Sequence, residues 1–209
     1  VDAPPPDAGS ASALDRIRAR GTLRVGLVED RLPFAFLNSR HELVGMDVEL
    51  AGLLARDLGV AAVEFVAVRD TDALARLLAD GRIDLAMSIP YLVDMLPKIV
   101  YSAPYFDGVA GFVVRDKDRD DFATLAAIRE RGRVTIGVAA DRRDVEDMLR
   151  AYLSGVEVRF VALGSPKEFF SGRHPDVDAF ATLAQIGAAW SLLYPEYSVV
   201  VPQPNHIKL

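Results

Sequence analysis

Two hydrophobic periods alternate along the chain. Apolar residues at every second position, or in short unbroken runs, predict strands over 22–28 (TLRVGLV), 63–68 (VEFVAV), 82–88 (RIDLAMS), 134–138 (VTIGV), 156–161 (VEVRFV), 176–181 (DVDAFA) and 198–201 (SVVV). Between them, apolar residues recur three and four apart, which predicts helices. The first runs from Leu14 to Arg20 and is closed by Gly21. The next is capped by Asp47, carries Leu50, Leu53, Leu54 and Leu58 on one face and stops at Gly59. A third is capped by Asp70, with Leu74, Leu77 and Leu78 on one face and Gly81 behind it. Further helices are expected over 122–130, 144–153 (Val145, Met148, Leu149, Tyr152 and Leu153 on one face), 166–170 and 183–193. Residues 108–115 (GVAGFVVR) and the run 102–106 (SAPYF) read as extended, and DKDRDD after them marks a surface.

The two halves repeat one order. TLRVGLVED lies over RVTIGVAAD, GVAAVEFVAV over GVEVRFVAL, and GRIDLAMS over HPDVDAFA. Strand, helix, strand, helix, strand in each half predicts mainly parallel sheets flanked by helices. Two such lobes, joined by extended crossings, leave a cleft into which strand ends and helix starts point. The expected division is a linker and short helix over 1–20, lobe 1 over 21–107, a crossing segment over 108–115, lobe 2 over 116–197, and a return strand with a tail over 198–209.

Composition narrows the function. Half the 209 residues are hydrophobic and a quarter charged, as in a globular protein. The net charge of −6 is spread along the chain, which argues against a nucleic-acid partner. There is no cysteine, so no thiol nucleophile or disulfide. His41, His174 and His206 lie far apart without metal-ligand spacing, and no nucleophile elbow or phosphate loop is present. No catalytic residue, metal or cofactor is implied. The proline- and alanine-rich opening, VDAPPPDAGSASA, reads as a linker or the remnant of a processed chain, poorly ordered over 1–12.

The stretch RGTLRVGLVEDRLPFAFLNSRHELVGMDVELAGLLARDLGV, followed by GRIDLAMS and KIVYSAPYF, resembles the family 3 extracellular solute-binding proteins of amino-acid-binding type. The shared marks are an LRVG strand, a P-F loop, VG-x-D-x-E-LA opening a helix, a G-x-x-D strand and an S-x-PY segment. The resemblance implies an α/β, two-lobed periplasmic-binding-protein type II fold that closes on a small solute. It implies a periplasmic or extracellular location, secreted or membrane-tethered, and a membrane transporter of ABC type or a sensor as partner. The ending GAAWSLLYPEYSVVVPQP is similar to a subgroup fused to dicarboxylate-type symporters. The family pattern then returns to lobe 1 with a further strand and a helix. The expectation here is a return truncated after it begins, leaving apolar surface on lobe 1 that favours association into an oligomer.

The family's recognition set is absent. Its carboxylate-binding arginine falls on Met95, its threonine on Leu92, and its ammonium-binding acid near Leu183. Substitutes are available. Arg31 lies near the family's ligand-stacking aromatic, and Arg142 and Arg143 follow the VTIGVAAD strand at a helix start, where an anion is favoured. The alternative for each is a solvated surface arginine, Arg142 and Arg143 beside Asp141 and Asp144. Ser88, Pro90 and Tyr91 follow the third strand, Phe34 stands in the P-F loop, and Thr182 and Gln185 end the last strand of lobe 2. These are the expected solute contacts; core packing competes for the aromatics, and Phe36, Phe106 and Trp190 read as core. The function expected is binding of a small organic solute, carboxylate-like or other, for transport or sensing. The alternatives are a degenerate module that signals or assembles without ligand, and an enzyme of lyase type on the same fold.

Overall fold

The computed structural model describes residues 12–28, 30–68, 70–91, 96–97, 99–140 and 142–203. The expectations for the opening linker, Leu92, Met95, Asp141, His206 and the tail from 204 lie outside them. The chain divides into two units, the first ending at Ala103 and the second beginning at Pro104.

In the first unit, α1 (Ala13–Arg20) is capped by the Ser12 hydroxyl, which accepts from the Asp15 N–H, and is closed by Gly21 in the left-handed region. Strand β1 (Thr22–Val28) pairs in parallel with β4 (Ala62–Val68) on one side and β5 (Leu85–Ala86) on the other. A small hairpin, β2 (Phe36–Leu37) and β3 (Leu43–Val44), leads into helix α2 (Met46–Leu58), and helix α3 (Thr71–Ala79) joins β4 to β5. Leu23, Val25 and Leu27 pack with Ala51 and Ala55 against one face of the sheet; Val66, Leu74, Leu77 and Ile83 fill the other. Asp70 caps α3 as expected, accepting from the Ala73 N–H at 2.7 Å.

The leucine face expected for α2 holds for Leu50 and Leu58, which pack against the core, and is corrected for Leu53 and Leu54. The buried stripe of α2 is Asp47, Ala51 and Ala55, while Leu53 and Leu54 are exposed. Residues four apart form one stripe on a helix, and the two alanines of this one pack against the core of the first unit. Nor does Asp47 cap the helix: Gly45 is the cap residue and makes no side-chain cap hydrogen bond.

The second unit holds α4 (Leu125–Glu130), α5 (Arg143–Tyr152), α6 (Pro166–Phe170) and α7 (Ala184–Ser191). Its five strands are β6 (Ala110–Arg115), β7 (Arg133–Ala139), β8 (Glu157–Leu163), β9 (Ala179–Leu183) and β10 (Tyr197–Val200), in the order β10-β6-β9-β7-β8. Strands β8, β7 and β9 are parallel, whereas β6 runs antiparallel to β9 and β10. Two expectations change. The segment 108–115 provides an internal strand of this sheet, because β6 is apolar on both faces and buried from Ala110 to Val114. The strand read as a return to the first lobe is instead this sheet's edge, with Val199 opposite Val113 and Tyr197 opposite Arg115. The third strand of each half also shifts: 82–88 contributes only β5, and 176–181 moves to β9.

The repeat read from the sequence holds in three dimensions. β1 and β7 each begin after a left-handed glycine, Gly21 or Gly132, and bury the same positions. Each is held at its start by an aspartate of the third strand. Asp84 accepts the Arg24 N–H at 2.7 Å and pairs with Arg20; Asp178 accepts the Thr135 N–H at 2.7 Å and pairs with Arg131 at 3.0 Å. The aspartate of the G-x-x-D motif is therefore a clamp between strands. Among the described residues no helix is long and apolar enough to cross a membrane.

Candidate functional site

In a parallel sheet, backbone groups and side chains converge beyond the carboxyl ends of the strands. In the first unit that edge lies beyond Val28 and Ala86. The loop after β1 turns tightly at once: Arg31 N–H donates to the Ala35 carbonyl at 2.8 Å, and Phe34 N–H to the Arg31 carbonyl at 2.7 Å. The Leu32–Pro33 peptide within it is cis. The turn rests on the start of α2, where Met46 and Asp47 N–H groups donate to the Pro33 and Phe34 carbonyls at 3.2 and 2.9 Å. Gly45 makes this seat possible. Its φ of 130° suits glycine, and a Cβ there would fall on the Phe34 carbonyl.

Three side chains meet at this edge. Asp47 is 0% exposed and accepts a hydrogen bond from the Ser88 hydroxyl. Arg31 Nη1 donates to the Ser88 carbonyl at 2.7 Å. Ser88 itself sits at φ 56°, an uncommon conformation for a residue with a side chain, and both ends of it are tied. The VG-x-D motif thus supplies a glycine for close approach and a buried carboxylate for the strand-end serine. Downstream, Tyr91 is 66% exposed and its ring packs 5.0 Å from that of Tyr101, whose hydroxyl donates to the Pro90 carbonyl at 2.8 Å. Phe34 is only 4% exposed, so its ring belongs to the interior of the loop, where core packing was the competing expectation.

The corresponding edge of the second unit lies beyond Ala139, Leu163 and Leu183. Arg142 precedes α5 and turns onto Asp144, the second residue of that helix. Its Nε donates to Asp144 Oδ1 at 2.9 Å and one Nη to Oδ2 at 2.7 Å. Burial pushes the Asp144 carboxyl up, but the Arg142 hydrogen bonds and charge, with the backbone N–H groups of Val145 and Asp144, outweigh it and hold the carboxyl below its ordinary value. Arg143, the first residue of α5, is exposed. Thr182 is the penultimate residue of β9, opposite Gly111. Leu183 packs where a side chain on Gly108 would otherwise stand. Gln185 Oε1 is buried and meets no hydrogen-bond donor among the described residues. Trp190 is core as expected, stacked on Phe170 at 5.5 Å.

By chain position the expected contacts divide between the units, with Arg31, Phe34, Ser88, Pro90 and Tyr91 in the first and Arg142, Arg143, Thr182 and Gln185 in the second. Sequence reasoning missed Asp47 as a member of the first group, although its place in the VG-x-D motif was the available signal. Among the described residues no group of acidic and histidine side chains has the arrangement of a metal site. A polar hollow of about 510 Å³ opens at the opposite edge of the second sheet, by the strand starts. Its charges are spent on each other. Arg131 pairs with Asp121 and Asp178, and Arg159 with Asp176, whose carboxyl that hydrogen bond holds below its ordinary value.

The chain is similar to the L-cystine-binding protein TcyJ of Escherichia coli, 30% identical over 149 residues, which is 70% of this chain and 53% of that protein. It is 33% identical over 122 residues to cyclohexadienyl dehydratase of Pseudomonas aeruginosa, 58% of this chain and 45% of that one. The chain thus spans about half the length of the curated relatives it matches. Among solved structures, the ancestral amino-acid-binding protein AncCDT-1, a precursor of cyclohexadienyl dehydratase, superposes with a TM-score of 0.75 at 27% identity, covering 93% of this chain and 82% of that one. The arginine-bound form of truncated ArgBP from T. maritima gives 0.70 at 26% identity, covering 93% and 89%. The family model for bacterial extracellular solute-binding proteins, family 3, matches residues 23–185, and the chain belongs to that family.

Proposed function

We propose that this chain binds a small organic solute, without the ammonium- and carboxylate-binding set of the amino-acid receptors, at the strand-end edges of its units. The observation that carries the reading is Leu183. The family's acid falls near it, and an apolar side chain packed at Gly108 gives an ammonium group nothing to meet. Arg31 supports it from the first unit, since the protein's own cation already occupies the Ser88 carbonyl. The contacts we assign are Ser88, Pro90 and Tyr91 on one edge, and Thr182, Gln185 and Arg143 on the other. Gln185 offers a buried acceptor that rewards a donor on the solute. Arg143, exposed on the first turn of α5, favours a carboxylate. The protein works on the periplasmic or extracellular face and passes its solute to a membrane transporter of ABC type or a sensor.

A thermal-shift screen of aliphatic carboxylates, aromatic acids and amino acids tests this. A solute at one hundred times its Kd stabilises by about 2.7 kcal/mol, a rise of several degrees for a chain of this size. Carboxylates are expected to raise the Tm, with L-arginine and L-cystine inert; equal stabilisation by those two overturns the reading. The likeness to cyclohexadienyl dehydratase favours elimination from a cyclohexadienyl acid as the second reading. Elimination makes such a ring aromatic, so the appearance of aromatic absorption in the ultraviolet on adding protein is its test.

A further inference from the structure

The repeat extends past the strands to the loops that carry the candidate site. Arg31 is the third residue after β1, and Arg142 is the third residue after β7. Asp47 is the second residue of α2, and Asp144 the second of α5. Ser88 lies two residues beyond Ala86, which pairs with Gly26; Thr182 lies two beyond Phe180, which pairs with Gly137. Each unit therefore brings an arginine, a carboxylate and a hydroxyl to the same place in its fold. They are wired differently. In the first unit Ser88 stands between the two charges, its carbonyl taking Arg31 and its hydroxyl serving Asp47. In the second, Arg142 grips Asp144 directly through two nitrogens.

We infer that Arg31 and Arg142 are matched positioning residues, one per unit, which hold the strand-end loops in shape rather than contacting the solute. Three features of the first unit point this way. Ser88 is in the left-handed region, which does not persist without restraint. The restraints on it are charge-assisted at both its carbonyl and its hydroxyl. The loop bearing Arg31 is itself fixed to α2 by the Met46 and Asp47 N–H groups, so the guanidinium is presented from a firm base. In the second unit, the Arg142 carbonyl accepts the Val145 N–H at 3.1 Å while its side chain holds Asp144, so one residue fixes both the backbone and the first turn of α5. The inference goes beyond the solute-binding reading, and its test needs no solute.

The test is amide hydrogen exchange on Arg31→Ala, Arg31→Lys and Arg142→Ala, with and without methylguanidinium at low millimolar concentration. Loss of a hydrogen bond to a charged group is expected to speed exchange of the 86–91 amides in Arg31→Ala by about ten- to a hundredfold, with β1 over 22–28 unchanged. Methylguanidinium restores protection in Arg31→Ala and leaves the wild type unmoved, and Arg31→Lys restores part of it. Arg142→Ala behaves likewise at 143–146, which keeps the test open should Arg31→Ala fail to fold. Unchanged exchange at 86–91, acceleration spread evenly over 22–28 and 86–91, or no response to methylguanidinium overturns the inference.

Discussion

Replacing the two clamp aspartates one at a time, Asp84→Ala and Asp178→Ala, uses the repeat as its own control. Both accept a backbone N–H at 2.7 Å from the start of a central strand, and both pair with an arginine four residues before it. Their surroundings differ. The Asp84 side chain is 7% exposed, and that of Asp178 is 33% exposed. Arg131 also keeps Asp121 when Asp178 is lost. A hydrogen bond to a charged group contributes roughly 1.5–3 kcal/mol when shielded, and breaking a buried ion pair by removing one partner costs about 3–5 kcal/mol. Asp84→Ala should therefore cost about 3–4 kcal/mol. For Asp178 the ion pair is solvent-screened and is discounted to a fraction of a kcal/mol. That leaves mainly the bond from Thr135, for a total of about 1–2 kcal/mol.

Hydrogen exchange resolves the two units separately and so avoids assuming a single unfolding transition. The amides of Thr22–Val28 should lose protection in Asp84→Ala by more than those of Arg133–Ala139 do in Asp178→Ala. A gap of about 2 kcal/mol corresponds to roughly thirtyfold in the exchange rate. Equal effects would refute the claim that shielding sets the strength of the clamp. A larger effect for Asp178 would refute it more directly, because the geometry of the two backbone bonds is the same.

Other outcomes follow from the site. Gly45→Ala should destabilise the first unit by at least about 3 kcal/mol, from backbone strain plus a clash with the Phe34 carbonyl, read by denaturant titration. Ser88→Ala removes a hydroxyl from the fully buried Asp47 and should cost about 2 kcal/mol; a cost within 0.5 kcal/mol, the range of ordinary surface changes, would mean that the hydroxyl is not a working partner. For Asp144, whose folded carboxyl titrates below its ordinary value of 3.8, the stability it contributes is present above that pH and is lost as pH falls through the lower folded value. Asp144→Asn should therefore flatten the fall in stability below about pH 4, measured as Tm against pH. Arg143→Ala should weaken any carboxylate that stabilises the wild type while leaving the Tm of the free protein unchanged.

Much of the fold was legible because strand and helix periods are local. Asp70, Gly21 and Gly59 act where their side chains or their freedom at positive φ predicted. The misreadings share a cause. Leucines at helical spacing mark a face of α2 from which Leu50 and Leu58 do pack against the core, but the buried stripe runs through Asp47, Ala51 and Ala55 and leaves Leu53 and Leu54 exposed. Likewise 198–201 was recognisable as a strand, yet the sheet it joins depends on which edge is open, a long-range fact absent from the segment. At the candidate site the residue types were readable and their wiring was not. The sequence sets Arg142 beside Asp144 as the alternative to an anion ligand, but only the structure gives the bidentate grip between the two.

The family's sequence marks therefore divide into two kinds. The G-x-x-D aspartate and the VG-x-D glycine and aspartate hold strands and loops together, and they are kept here with their contacts made. The second kind comprises the recognition positions, which under the reading proposed above include a leucine near the place of the family's acid. Matching to the family over 23–185 follows from the first kind and says little about the second. A scaffold whose clamps are intact twice over, in units that repeat each other down to the arginine beyond the first strand, keeps both strands β1 and β7 anchored at their starts. Leu183 packs at Gly108, and two residues on the Gln185 amide oxygen is buried without a partner among the described residues. On the reading proposed here, a solute that donates to the Gln185 oxygen makes a hydrogen bond that the described residues leave unmade.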